Sequence, residues 1–177
     1  MTSKFRRLPP VCLVLSLARL ISGRLRLSGQ FKGETIEMDD HSSFRVFRHI
    51  RRKKVNYNSD YTVFIVSFKF SHLSHKANKL ASLIPMLLIT GFPGFVKKIY
   101  AVNPDNGYWQ GMYQWESPEC LEEYKRSLVF RLMNKRAIPE TIKSTQYENR
   151  SLDELFINLR IQEDQGSFLT CKNTINK

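Results

Sequence analysis

Cysteine, acid and long apolar runs are what this chain has least of. Its three cysteines, Cys12, Cys120 and Cys171, lie far apart. Their odd number and lack of short spacings exclude a disulfide framework and a zinc knuckle, and point to a reducing interior. No apolar run approaches the ~20 residues that span a bilayer. A Gly-rich phosphate loop, a Gly-x-Ser-x-Gly elbow and a His-Glu-x-x-His pair are all missing from the sequence. P-loop nucleotide hydrolysis, elbow-type serine hydrolysis and zincin proteolysis go with them. Acids number 16 against 28 Lys and Arg, for a net charge of +12.

What is present is unevenly placed. Up to Lys54 there are 13 Lys and Arg against 4 acids, which gives +9; the remainder carries 15 against 12, which gives +3. The basic excess therefore belongs to the N-terminal third. At 177 residues, with 42% hydrophobic residues, the chain has room for one well-cored domain plus appendages.

Lys4, Arg6 and Arg7 precede the apolar stretch Val11–Leu17 in the order of a signal peptide, but Ser16 and Arg19 interrupt it. The spacing of Val11, Val14, Leu15, Ala18 and Ile21 predicts a short amphipathic helix instead. Such a helix packs on the body of the protein or, in a second reading, lies on an anionic membrane surface. The expected location is cytoplasmic, membrane-peripheral in the second reading. Residues 33–50 read as a hairpin around Asp39–Ser43, a cluster of turn formers. The run Arg51–Lys54 and a polar linker at Asn56–Asp60 then divide the chain. The expected division is a basic extension at 1–58, a domain at 59–150, and a short helix with a polar tail at 151–177.

From Tyr61 the pattern is that of a ferredoxin-like β-α-β-β-α-β domain. Tyr61–Phe70 is dense in β-branched and aromatic residues. Lys76 to about Thr90 is helical in spacing, with Pro85 expected to end or kink it. Phe95–Val102 and Tyr108–Trp115 form a hairpin across Asn103–Gly107. Ser117-Pro118 opens one helix of about eighteen residues whose buried stripe is Leu121, Tyr124, Leu128 and Leu132. Thr141–Glu148 is the last strand, and a short helix from Ser151 to Leu159 follows.

The strands are apolar on both faces: Val63 and Ile65 oppose Phe64, Val66, Phe68 and Phe70. Two helices cover one face. The other is expected to meet a second copy in a homodimer, or else the N-terminal segment or C-terminal helix of the same chain.

The segment from Gly94 to Glu119 carries Asn103, Gly107, Gly111, Tyr113, Trp115, Glu116 and Ser117 in a strand–turn–strand–helix arrangement. In this it resembles the YdhR-like and antibiotic-biosynthesis-monooxygenase-like proteins of the dimeric α/β-barrel superfamily, over roughly Tyr61–Glu148. The resemblance implies an α+β homodimer with an apolar pocket between sheet and helices in each subunit. Some members of that superfamily are oxygenases that need neither metal nor flavin, some bind haem and some are isomerases.

Candidate site residues follow. His72 and His75, three apart between the first strand and first helix, are candidates for a base toward a bound phenol or ligands for haem iron; no further cofactor is expected. Tyr100, Trp109, Tyr113 and Trp115, with Arg131 from the second helix, are candidates for binding a small aromatic or apolar molecule. Cys120 sits where a helix start lowers a thiol pKa, but no base accompanies it. The RNA-recognition motif shares the element order. Its stacking strand opens with Lys/Arg-Gly, however, and here Asn106-Gly107 stands in that place, so nucleic acid is not the expected partner. Two functional readings result: a monooxygenase-like protein that binds a small aromatic or apolar molecule and oxidises it without a cofactor, and a non-catalytic binder whose basic N-terminal segment contacts an anionic membrane surface or nucleic acid.

Overall fold

The computed structural model describes residues 7–53, 60–70 and 75–159. Its elements run α1 (Pro9–Ile21), β1 (Leu25–Ser28), β2 (Thr35–Glu37), β3 (Ser43–Arg52), β4 (Thr62–Phe68), α2 (His75–Ala81), α3 (Leu83–Gly91), β5 (Phe95–Val102), β6 (Trp109–Trp115), α4 (Pro118–Lys125), α5 (Leu128–Asn134), a 3-10 turn (Pro139–Thr141) and β7 (Lys143–Glu148). A last helix, α6, spans 152–159.

The antiparallel sheet has the order β1-β3-β5-β6-β4-β7, with β2 also on β3. Within it, β4, β5, β6 and β7 with their helices form the ferredoxin-like β-α-β-β-α-β unit, with β4 and β6 at the centre. The N-terminal strands continue the same sheet, because β3 pairs with β5 along most of its length. α1 covers this addition on the helix side: Cys12 and Leu20 share one apolar cluster with Leu25, Ile50 and the helix-covered core. Its approach to α3 is close. A Cβ at Gly91 would fall 1.7 Å from the Cys12 carbonyl oxygen, so glycine is required there.

Both expected long helices are broken in two. Between α2 and α3 the cause is Pro85, which has no N–H to give and whose ring conflicts with the carbonyl four residues back, that of Ala81. That carbonyl instead accepts from Arg136 Nη1 at 3.4 Å. The expected single helix after Pro118 is corrected to α4 and α5, since Ser127 ends the first and caps the second by accepting from Phe130 N at 3.2 Å. The break rotates the buried stripe. Leu121, Tyr124 and Val129 are buried, whereas Leu128 and Leu132 are exposed.

The second apolar face is covered by the chain itself. Leu152, Leu155, Phe156 and Leu159 of α6 pack with Val63, Ile65, Ile99, Ala101 and Met112. Phe31, from the connection between β1 and β2, stacks on Phe156 at 4.2 Å. Of the alternatives the sequence offers for that face, the structure displays the intramolecular one. At ~25 cal/mol per Å² of apolar area, covering such a face is a main source of the fold's stability.

Candidate functional site

Strand alternation decides which side chains meet under the helices. On β5, Lys98 and Tyr100 point toward α2 and α3, and their partners across the sheet on β6 are Tyr113 and Gly111. A bulge at Phe47 in β3 resets the alternation there. It places Phe47 and Arg48 consecutively on this same side. Phe47 meets Trp109 edge-on at 5.2 Å, and the Arg48 guanidinium lies 5.5 Å from the Tyr100 ring centroid.

These residues enclose a cavity between sheet and helices, lined by Phe68, Phe70, Ser82, Pro85, Lys98, Tyr100, Trp109, Gln110, Gly111, Tyr113, Met133 and Arg136. Its free volume of about 20 Å³ is that of about one water molecule. A ring-sized guest therefore requires the half-buried Phe68, Phe70 and Met133 to turn aside. Gly111 keeps the floor low. A Cβ at that position would lie 2.8 Å from the Tyr113 ring.

The roof is fastened by two arginines. Arg48 donates to Ser82 Oγ at 2.7 Å and to the Lys79 carbonyl at 3.1 Å. Arg136 donates to Asn78 Oδ1 at 3.2 Å and lies 4.9 Å from the Phe70 ring centroid. Both thus satisfy carbonyls that the end of α2 leaves open.

The chemistry of the cavity centres on Lys98. It is 1% exposed, and its Nζ lies 3.9 Å and 4.1 Å from the ring centroids of Tyr100 and Tyr113. No carboxylate lines the cavity. Burial, reinforced by the Arg48 charge, holds the amine well below the usual lysine range. Burial likewise pushes the Tyr100 phenol up, and its hydroxyl finds no hydrogen-bond partner among the described residues. The cavity thus sets a buried amine and a buried phenol beside Arg136, walled by aromatic rings, with Arg48 against the Tyr100 ring.

Of the residues singled out from the sequence, Tyr100, Trp109 and Tyr113 line the cavity. Trp115 is not among its lining residues: it stacks on Tyr124 at 4.7 Å and meets Phe92 and Phe95 edge-on in the core. Arg131 is exposed on α5, and Arg136 stands at the cavity in its place. His72 lies outside the described residues, and His75 begins α2. Cys120 is held above the usual thiol range by burial, with Glu116, Glu123 and Glu119 adding to the effect. That reverses the helix-start expectation. Lys98 is not among the residues singled out from the sequence, although it stands two residues before Tyr100 and so on the same face of β5. Among the described residues no group of three His, Cys, Asp or Glu side chains is placed to hold a metal.

The motif residues divide between chemistry and support. Asn103 Oδ1 accepts from the backbone of Asp105 and Asn106, and Gly107 takes the left-handed φ of 75° that closes the turn. Glu116 pairs with Arg52 at 2.9 Å, and Ser117 caps α4.

No protein-family model matches the chain, and no curated protein matches it. Solved structures of similar path include a candidate monooxygenase from Fusobacterium nucleatum subsp. nucleatum ATCC 25586, at 11% identity over 60% of this chain and 49% of that one, with a TM-score of 0.45. An anthrone oxidase-like protein is similar at 17% identity over 60% of this chain and 52% of that one, with a TM-score of 0.38. A third is an uncharacterised ferredoxin-fold protein related to antibiotic biosynthesis monooxygenases from Listeria monocytogenes 4b F2365, at 9% identity, 77% and 88% coverage and a TM-score of 0.46. The match spans about half the length of the first two, and identities this low accompany likeness of chain path alone.

Proposed function

We propose that the cavity around Lys98 admits a small planar, weakly acidic molecule such as a phenol or quinol and promotes its oxidation by dioxygen. The observation that carries this reading is the buried Lys98 amine, set between two tyrosine rings with no carboxylate to hold a proton on it. A neutral amine so placed accepts the proton of a bound phenol. The phenolate left behind is stabilised by the new ammonium, by Arg136 at the cavity wall and by Arg48 against the Tyr100 ring. Low dielectric strengthens those attractions.

Deprotonation makes the ring system electron-rich enough to reduce dioxygen directly, as the resemblance to cofactor-independent oxygenases implies. In the balanced reaction a quinol gives up its two hydroxyl hydrogens and two electrons to become a quinone, and dioxygen takes them up as hydrogen peroxide. The tyrosine and tryptophan rings supply a flat apolar wall that fixes the plane of the substrate.

Oxygen uptake across a panel of quinols and polyphenols tests this. The wild-type chain should consume dioxygen with at least one of them, and Lys98→Met should slow that reaction by about a hundredfold or more. Silence across the panel, or an unchanged rate in Lys98→Met, contradicts the reading.

A further inference from the structure

The outward face of α1 is more apolar than the face it buries. Cys12 and Ser16 are the buried residues of the helix, with Ser16 Oγ 2.7 Å from Thr90 Oγ1 and Arg19 donating to the Thr90 carbonyl at 2.5 Å. Facing out are Leu13, Val14, Leu17, Ala18 and Ile21, at the i, i+1, i+4, i+5, i+8 spacing of one continuous stripe. Val14 is 64% exposed, Leu17 43% and Ile21 87%. A helix ordinarily docks the other way round.

The stripe ends at a cationic cleft. Ala18 belongs to both; the cleft also takes in Arg19, Arg24, Arg26, Arg52 and Lys53, and no acid lines it. Its free volume is about 870 Å³. Arg24, Arg26 and Lys53 are exposed, and among the described residues none of these three has a carboxylate partner. No aromatic side chain lines this cleft, so the stacking platform of a single-strand nucleic-acid site is missing.

We infer that α1 and the adjoining arginine cleft form a peripheral docking surface for an anionic lipid bilayer. The apolar stripe sinks into the headgroup boundary, and Arg24, Arg26 and Lys53 meet lipid phosphates and carboxylates. An apolar stripe continuous with a patch of unneutralised cations is complementary to such a surface on both counts. At 13 residues the helix is about 20 Å long and lies in the interface. Among the described residues no helix is long and apolar enough to cross a membrane. This inference is independent of the cavity chemistry.

The test is flotation of the full chain with phosphatidylcholine vesicles, with and without phosphatidylserine, at low and high salt. The wild type should float with the anionic vesicles only, and high salt should release it. The triple variant Val14→Ser, Leu17→Ser, Ile21→Ser alters exposed positions alone, so its thermal midpoint should hold while binding falls about tenfold or more. Arg24→Gln with Arg26→Gln should weaken binding about fivefold per arginine. Failure of the wild type to float, equal binding to neutral vesicles, or wild-type binding by the triple variant overturns the inference. So does a dimer in sedimentation that the triple variant abolishes, which would assign the stripe to a second copy. Salt-sensitive RNA binding that survives the triple variant but not the double one would assign the cleft to nucleic acid and overturn it too.

Discussion

Lys97 and Lys98 are neighbours on one strand with opposite circumstances. Lys97 points to the face covered by α6, where Asp153 of that helix meets its ammonium at 2.5 Å. Lys98 points to the face covered by α2 through α5, is completely buried, and has two tyrosine rings and Arg48 where an acid would be expected. One lysine is neutralised and helps to seat a helix. Burial and the Arg48 charge hold the other well below the usual lysine range, a cost to folding wherever the unfolded chain carries that proton. The two faces of the sheet differ in the same way. The α6 face is chiefly an aliphatic seal, with Gln114 Oε1 accepting from Leu152 N at 2.9 Å to set the start of the helix. The opposite face holds the cavity, its cations and its unbonded phenol.

The largest predicted effect breaks the seal. Ending the chain at Arg150 bares Val63, Ile65, Ile99, Ala101 and Met112, and the truncated protein should self-associate through that face in sedimentation velocity experiments. Phe156→Ala is a smaller version of the same cut. It should cost about 3–5 kcal/mol by chemical denaturation and leave the titration of Lys98 where it was.

On the other face the sign reverses. The unfolded chain carries a proton on Lys98 that the folded state resists, so stability is fully expressed only above the usual lysine range and falls with decreasing pH. Lys98→Met should therefore stabilise the fold by about 1–4 kcal/mol at neutral pH while slowing the proposed oxidation by about a hundredfold or more.

His49 refines the picture of the α6 face. Its imidazole is buried beside Phe31 and lowered from 6.5 to about 4, first by burial and then by Lys97. Asp153 acts the other way and Arg51 adds to the lowering. The unfolded chain takes up this proton near pH 6.5 and the folded one only near pH 4, so stability present above 6.5 is lost as pH falls between the two. The loss is at most about 3 kcal/mol. Thermal midpoints against pH should fall less steeply over that window in His49→Phe. The smallest effect belongs to Lys97→Met, about 1 kcal/mol for a pair whose acid is partly exposed, with oxidation unchanged.

Much of this arrangement was legible in the sequence. The strand and turn pattern from Tyr61 onward gave the ferredoxin-like unit because β-branched density, Asn103–Gly107 and Ser117-Pro118 are local signals. Three cavity walls, Tyr100, Trp109 and Tyr113, follow from strand alternation alone. Arg48 does not, because the bulge at Phe47 changes which way it points and no local residue announces that. Nor did Arg136, since the break at Ser127 turned the helix and exchanged Arg131 for it. The covering of the second face is a long-range choice between α6 and a second sheet, and both satisfy the same apolar pattern. Lys98 has no local signal, because a lysine is almost never fully buried and only the covering of both faces of the sheet takes it out of water.

The most direct test is the protonation of Lys98 itself. With lysine side chains labelled at Cε, a carbon NMR titration should show one resonance moving well below the usual lysine range, and that resonance should be missing from Lys98→Met but kept in Lys97→Met. If every lysine resonance titrates near 10.4, the amine is not held neutral in the cavity and the proposed proton acceptor does not exist.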